Sequence, residues 1–366
     1  MLTKGDDFPL HQTPEPIAYS GTDRNFYDRY FFNGYNPDGS GFFALAFGVY
    51  PHLDIADASF SCIRNGMQHN LHASRELGME RMALEVGPIR VDVVEPLKAL
   101  RIRVDGEGLA ADLLFTGRAF PIEEPRFTFR NGPRTFMDYT RMTQNGHYSG
   151  WIEIDGVRAE VAPGCSGTRD RSWGVRPVGA GDAQPHSGSR APCFFWQWTP
   201  VNLGERSLFF HLNAHRSGRP WNSRAVIAPD GAGHDGFSET PATVMTTRHQ
   251  PGTRWPAGGE LVIETDEGPL AVHFEPLQRF QMRGLGYTCP RWGHGLYHGE
   301  LAVEREDFDL AAIDPLAPDM GNLHVQMLCR VTTSAGETGL GTFEQLVVGP
   351  YDPWGLTGYV DTPVSG

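Results

Sequence analysis

Apolar and polar residues alternate with period two along most of this chain, the spacing of half-buried β-strands rather than helices. Leu100, Ile102 and Val104 fall on one face of such a strand, with Arg101 and Arg103 on the other. The run Trp151-Ile152-Glu153-Ile154, the pair Asp155-Gly156 and the run Val157 to Val161 predict a hairpin with a two-residue turn. Further strands are read at Phe42 to Tyr50, Met82 to Val86, Ile89 to Val94, Leu109 to Thr116, Leu208 to His215, Leu261 to Thr265, Leu270 to Phe274, Leu301 to Glu304 and His324 to Val331. Helical spacing is confined to Met67 to Leu77 and to Asp307 to Leu316, where Pro315 sets a limit. Strands that follow one another without helices pair antiparallel, and closure removes their exposed edges. The expected class is all-β, two antiparallel barrels or strongly curved sandwiches in tandem with few short helices.

A chain of 366 residues is long enough for two cores. The stretch Pro177 to Pro192 reads most like a linker, which divides the chain into residues 1–185 and 186–366, with allowance for a terminal strand that crosses back. A formal charge of −13 argues against a nucleic-acid backbone or an anionic membrane surface as partner. No apolar run approaches the ~20 residues of a membrane span, and the first sixteen residues lack a signal-peptide core, so a cytoplasmic location is expected. Five scattered cysteines without a CxxC pair read as reduced thiols.

The densest chemistry lies in Arg169-Asp170-Arg171-Ser172-Trp173-Gly174-Val175-Arg176, a carboxylate among three guanidinium groups. Facing those arginines, Asp170 stays ionised; facing an apolar cavity, it is raised in pKa and becomes a general acid. On spacing alone a structural ion-pair network is the plainer reading. The segment Gly164 to Arg176, GCSGTRDRSWGVR, followed by Phe194-Phe195-Trp196-Gln197-Trp198, resembles the Arg-Asp-His-Ser-Trp-Gly signature of the AttH-like and carotenoid 1,2-hydratase (hydroxyneurosporene synthase) superfamily. That resemblance implies two lipocalin-like (calycin) barrels and activity on greasy polyenes or terpenoids. The family's His is Arg171 here, a permanent cation in place of a titratable ring.

Other candidates surround the signature. Trp196 and Trp198 share one face of a strand, Phe195 the other, and such rings either line a ligand or form a plain aromatic core. His211, Asn213 and His215 share a strand face that meets substrate, water or solvent. The Gly-rich stretch Tyr287 to Glu300 offers Trp292, His294, Tyr297 and His298; its Cys289-x4-His294-x3-His298 spacing imitates half a metal site but lacks a fourth ligand. The segment Arg64 to Asn70 is polar enough for a lid, though a plain surface loop suits it as well, and Glu344 is a second acid–base candidate. No phosphate loop or GxSxG elbow is present in the sequence, and no cofactor or metal is called for.

These residues assemble into an expectation of a cofactor-independent lyase or isomerase, hydratase-like or cyclase-like, on a hydrophobic terpenoid, polyene or polyketide. Asp170, His298, His211 and Trp173 are the expected catalytic groups. Trp196, Trp198, Trp292, Tyr297, His294, Phe195 and Asn213 are expected to bind substrate. The other reading is a carrier of lipids or pigments, with the same pocket and no inward-facing proton donor. A small hydrophobic molecule is the expected partner, and a homodimer stays open.

Overall fold

Two turns of the Asx-Gly type set the register of the first half of the chain. Asp155 and Gly156, with φ of 51° and 78°, join the Arg134–Ile154 strand to Val157–Glu160, as the alternation predicts. Asn65 and Gly66, at 53° and 78°, join Ile55–Arg64 to Met67–Glu76. Turns with both central residues at positive φ match the twist of the strands they connect.

The second hairpin corrects two expectations: residues 64–70 are neither lid nor surface loop, and Met67 to Leu77 is not helical. Gln68, Asn70, His72 and Ser74 alternate along Met67–Glu76 and are all buried. Their partners come from elsewhere, Gln281 O for Gln68 Nε2 at 2.9 Å, Glu306 O for Asn70 Nδ2 at 2.7 Å and Ser59 Oγ for His72 Nδ1 at 2.8 Å. A buried polar face paired in this way hides the period-two hydrophobic signal. The second predicted helix is corrected likewise, because Leu301–Asp309 is a strand paired with Met67–Glu76 and only turns follow it.

The computed structural model describes residues 3–10, 16, 18–132, 134–181, 193–240, 243–317, 319–359 and 361–362. Among them, fourteen strands form one antiparallel sheet and nine a second, and helical structure amounts to five 3-10 turns of three or four residues. The protein is all-β, two curled antiparallel sheets in tandem. The division at 185/186 lies outside the described residues. Leu301–Asp309 forms an edge of the first sheet, so that sheet draws on both halves of the sequence.

Phe26–Tyr35 is central in the first sheet, between Phe42–Tyr50 and the signature strand Ser166–Val175. Both of its faces are covered. Tyr30 and Phe32 join the interior of the first sheet with Phe47, Phe60 and Phe115. Tyr27, Phe31 and Tyr35 enter a layer shared with Trp196, Trp198 and Phe209 of the second sheet, whose own interior holds Phe210, Phe274 and Phe343. Full burial of one such ring contributes about 1.5–3 kcal/mol, so this shared aromatic layer ties the two sheets together, alongside polar contacts such as Arg118 with Asp230. All five cysteines are unpaired, and among the described residues no helix is long and apolar enough to cross a membrane.

Candidate functional site between the two sheets

Strand alternation sorts the charges of the signature. Arg169 and Arg171 point to one face of Ser166–Val175, where both are buried and ion-paired, Arg169 with Asp7 and Arg171 with Asp28 at 2.5 Å. Arg171 also donates to Phe8 O at 2.7 Å and lies 3.9 Å over the Tyr30 ring. Asp170 points to the opposite face, toward the second sheet, beside Phe31 and Thr143 on the neighbouring strands. Among the described residues no guanidinium or hydrogen-bond donor contacts its carboxylate. Burial pushes Asp170 up to about 7; Arg141 and Arg29 pull the other way, while Glu124 and Glu344 add to the rise.

The opposing wall is aromatic and polar. Trp198 meets Phe31 edge-on with centroids 5.9 Å apart. Arg141 stacks 4.4 Å over Trp196 and is gripped by Glu124 through two hydrogen bonds of 2.9 and 2.8 Å. Trp196 Nε1 donates to Glu344 at 2.9 Å, and so do His324 Nε2 at 2.8 Å and Gln326 Nε2 at 2.6 Å. Burial alone raises the Glu344 carboxyl, but these three donors reverse the direction and hold it below its ordinary value. Glu344 is therefore an acceptor, and Asp170 the proton-bearing carboxyl of the pair.

His211 is fully buried among Phe127, Trp196 and Phe209. Its Nε2 donates to Asn222 Oδ1 at 3.0 Å, which leaves Nδ1 as a lone pair 3.7 Å from Glu124 Oε2, without a hydrogen-bond partner. Burial lowers its pKa to about 4, so the ring is neutral at pH 7. His294 is also neutral. Arg29 Nη1 donates to its Nδ1 at 3.1 Å, its Nε2 donates to Leu285 O at 2.8 Å, and burial among cations holds it well below the ordinary value. A cavity of about 520 Å³, with Phe120, Glu124, Arg224, Phe237 and Glu239 in its wall, opens between the sheets and reaches Glu124.

The structure thus brings Asp170, Trp196, Trp198, His211 and His294 into one layer, with Glu344 among them. Asn213 lies on the same strand face as His211, its Nδ2 donating to Phe195 O at 3.0 Å and its Oδ1 buried without a partner. The other residues lie apart. Trp173 has the parity of Arg171 and packs against Leu97 and Met142. Phe195 stacks on Tyr351, 4.3 Å away, with Trp354 beside it. Trp292 is sandwiched between His72 and His298, its Nε1 on Glu304 at 2.8 Å. Tyr297 is 64% exposed and donates to Glu76. Arg29, Glu124, Arg141 and His324 belong to the layer, yet no local motif announces them, because each acquires its partner only when distant strands meet.

A family model matches residues 2–357. The chain belongs to DUF8625, a family of unknown function. No curated protein matches it. Among solved structures, this DUF8625 protein is similar to an AttH candidate from Nitrosomonas europaea, at 14% identity and a TM-score of 0.54, over 92% of this chain and 98% of that one. Kievitone hydratase from Nectria haematococca aligns at 12% identity and a TM-score of 0.45, over 93% and 98% of the two chains. The fold of the DUF8625 chain is accordingly that of the AttH-like proteins, as its signature implies. Among its described residues no group of three His, Cys, Asp or Glu side chains is placed to hold a metal ion.

Proposed function

We propose that this protein is a cofactor-independent lyase or isomerase, hydratase-like in its chemistry, acting on a hydrophobic alkene of terpenoid, polyene or polyketide type. The observation that carries the reading is Asp170, a buried carboxyl aimed at an aromatic wall, unpaired among the described residues and pushed up to about 7.

In the hydratase form, the Asp170 carboxyl gives its proton to one alkene carbon, whose π pair becomes the new C–H bond. The adjacent carbon is left as a cation, which the rings of Phe31 and Trp198 stabilise by about 1–2 kcal/mol each in a dry site. Water adds to that carbon through its oxygen. The proton it sheds is taken by the free lone pair of His211 Nδ1 and returned to Asp170, so the net change is addition of water. A positioned acid of this kind contributes about 10²–10⁴-fold.

The experiment is turnover of a panel of unsaturated terpenoids and polyenes in ¹⁸O-labelled water, followed by mass spectrometry. The expected result is labelled alcohol from the wild type and at least about 100-fold less from Asp170→Asn, which still binds a hydrophobic fluorophore. Binding by both proteins with turnover by neither favours the carrier.

A further inference from the structure

Among the described residues, two cations that meet between the sheets, Arg29 and Arg176, have no carboxylate in ion-pair contact. Arg141 has Glu124, Arg169 has Asp7, and Arg171 and Arg81 share Asp28. Arg29 is 1% exposed, and among the described residues no carboxylate lies in ion-pair contact with it. Its Nη1 reaches His294 Nδ1, while its Nε and Nη2 are buried with no hydrogen-bond partner. Arg176 converges on the same place, its Nη2 3.5 Å from His294 Nδ1 and its guanidinium 4.4 Å over Tyr27. The two cations flank Tyr287, at 4.3 and 5.8 Å from its ring. They share a single neutral acceptor, because His294 Nε2 is occupied by Leu285 O.

Buried guanidinium groups are held in proteins by counter-charge and by hydrogen bonds to all of their donors. Two acidic groups that feel the charge of Arg29 do not serve. Asp57 accepts from Tyr50 at 3.0 Å and from Gly295 N at 2.7 Å, and burial pushes it up to about 6. Asp170 is raised as well. The unmade bonds and the missing charge describe an absent planar oxyanion, the group that a guanidinium fork matches.

We propose that the substrate of this site carries a carboxylate, which seats on the free edge of Arg29 with Arg176 beside it, while its hydrophobic alkene portion extends to Asp170. This rests on the lyase reading above and names the class of molecule it acts on. Arg29 stands opposite Ser172 and Phe31 opposite Asp170, one same-face step apart along the strands, or about 7 Å. The two groups thus border the same face of the sheet, and the double bond to be protonated lies along that face from the carboxylate. The charge also removes a conflict, since two uncompensated guanidinium groups would oppose a carbocation nearby. With the carboxylate seated, the pull of Arg29 on Asp170 is cancelled and the proton donor keeps its proton.

The test uses cis-parinaric acid and its methyl ester, fluorescent polyenes that differ in the charged head, titrated into the full-length protein. The acid is expected to bind at least about 10-fold more tightly than the ester, corresponding to about 1.4 kcal/mol. Arg29→Gln is expected to bring the acid to the affinity of the ester while the ester is unchanged, with Arg176→Gln intermediate. Equal binding of acid and ester by the wild type, or equal weakening of both in Arg29→Gln, overturns the carboxylate seat and leaves the lyase reading standing. Failure of both probes to bind overturns the two together. Should Arg29→Gln not fold, the wild-type ratio and Arg176→Gln decide.

Discussion

Asp170 and Arg171 are adjacent in sequence and face opposite sides of one strand, the acid toward the second sheet and the arginine into an ion pair with Asp28. The signature is thus two devices interleaved at period two. Arg169 and Arg171 fasten the strand to Asp7 and Asp28, and Asp170 is left as a buried, protonatable group.

Asp170 makes stability depend on pH in a definite direction. Its folded value, about 7, lies above the ordinary carboxyl range near 4, so ionising it in place is unfavourable. The contribution of the protonated form is complete below about pH 4 and is lost as pH rises through about 7. Asp170→Asn removes that dependence and should gain on the wild type between pH 5 and pH 8, by about 2–3 kcal/mol. Thermal melts of both proteins across that range check it; parallel curves would show an ordinary carboxyl. The charged groups that act on Asp170 are Arg141, Glu124, Arg29 and Glu344, and none of them is altered in this comparison.

Glu344 behaves with the opposite sign. Its folded value lies below the usual one, so its contribution is present above about pH 4.3 and is lost as pH falls below that. Glu344→Gln turns an amide toward the three donors of Trp196, His324 and Gln326 and should cost about 1–3 kcal/mol at pH 7. Denaturant melts at pH 7 and pH 4 should show the difference shrinking at the lower pH.

The arginine face is structural. Asp28→Asn removes the counter-charge that Arg171 and Arg81 share and should destabilise the protein by about 3–5 kcal/mol. Asp28 lies on the far side of the strand from Asp170, so the pH at which Asp170 titrates should hold. A melt combined with that titration separates the two effects.

The Asn65-Gly66 turn gives a test of the fold that is independent of the site. An added Cβ at Gly66 meets nothing within 4 Å, so Gly66→Ala is charged only for its φ of 78°, about 1–2 kcal/mol. At Gly150 the same methyl would lie 1.9 Å from Asp112 O, and Gly150→Ala should be far more damaging. Chemical denaturation of the two variants ranks them.

Much of the fold is legible in the sequence, and the exceptions share a cause. Leu100, Ile102 and Val104 are buried with Arg101 and Arg103 outward, and the Asp155-Gly156 hairpin forms as its residues predict. Met67–Glu76 is misread because its buried face is polar and its partners come from residues 213 and 236 positions away. The site follows the same rule. Alternation separates Phe195 from Trp196, but both faces of that strand are buried, so nothing in the pattern says which one meets the first sheet. Glu124, Arg141 and Arg29 acquire meaning only through partners that closure of the sheets brings near.

The central claim is that Asp170 holds a proton between the sheets near neutral pH. A ¹³C-NMR titration of the aspartate side-chain carboxyls, with the Asp170 signal assigned by its loss in Asp170→Asn, measures this directly. The account predicts a midpoint near 7 for that signal; a midpoint at or below about 4 would contradict it.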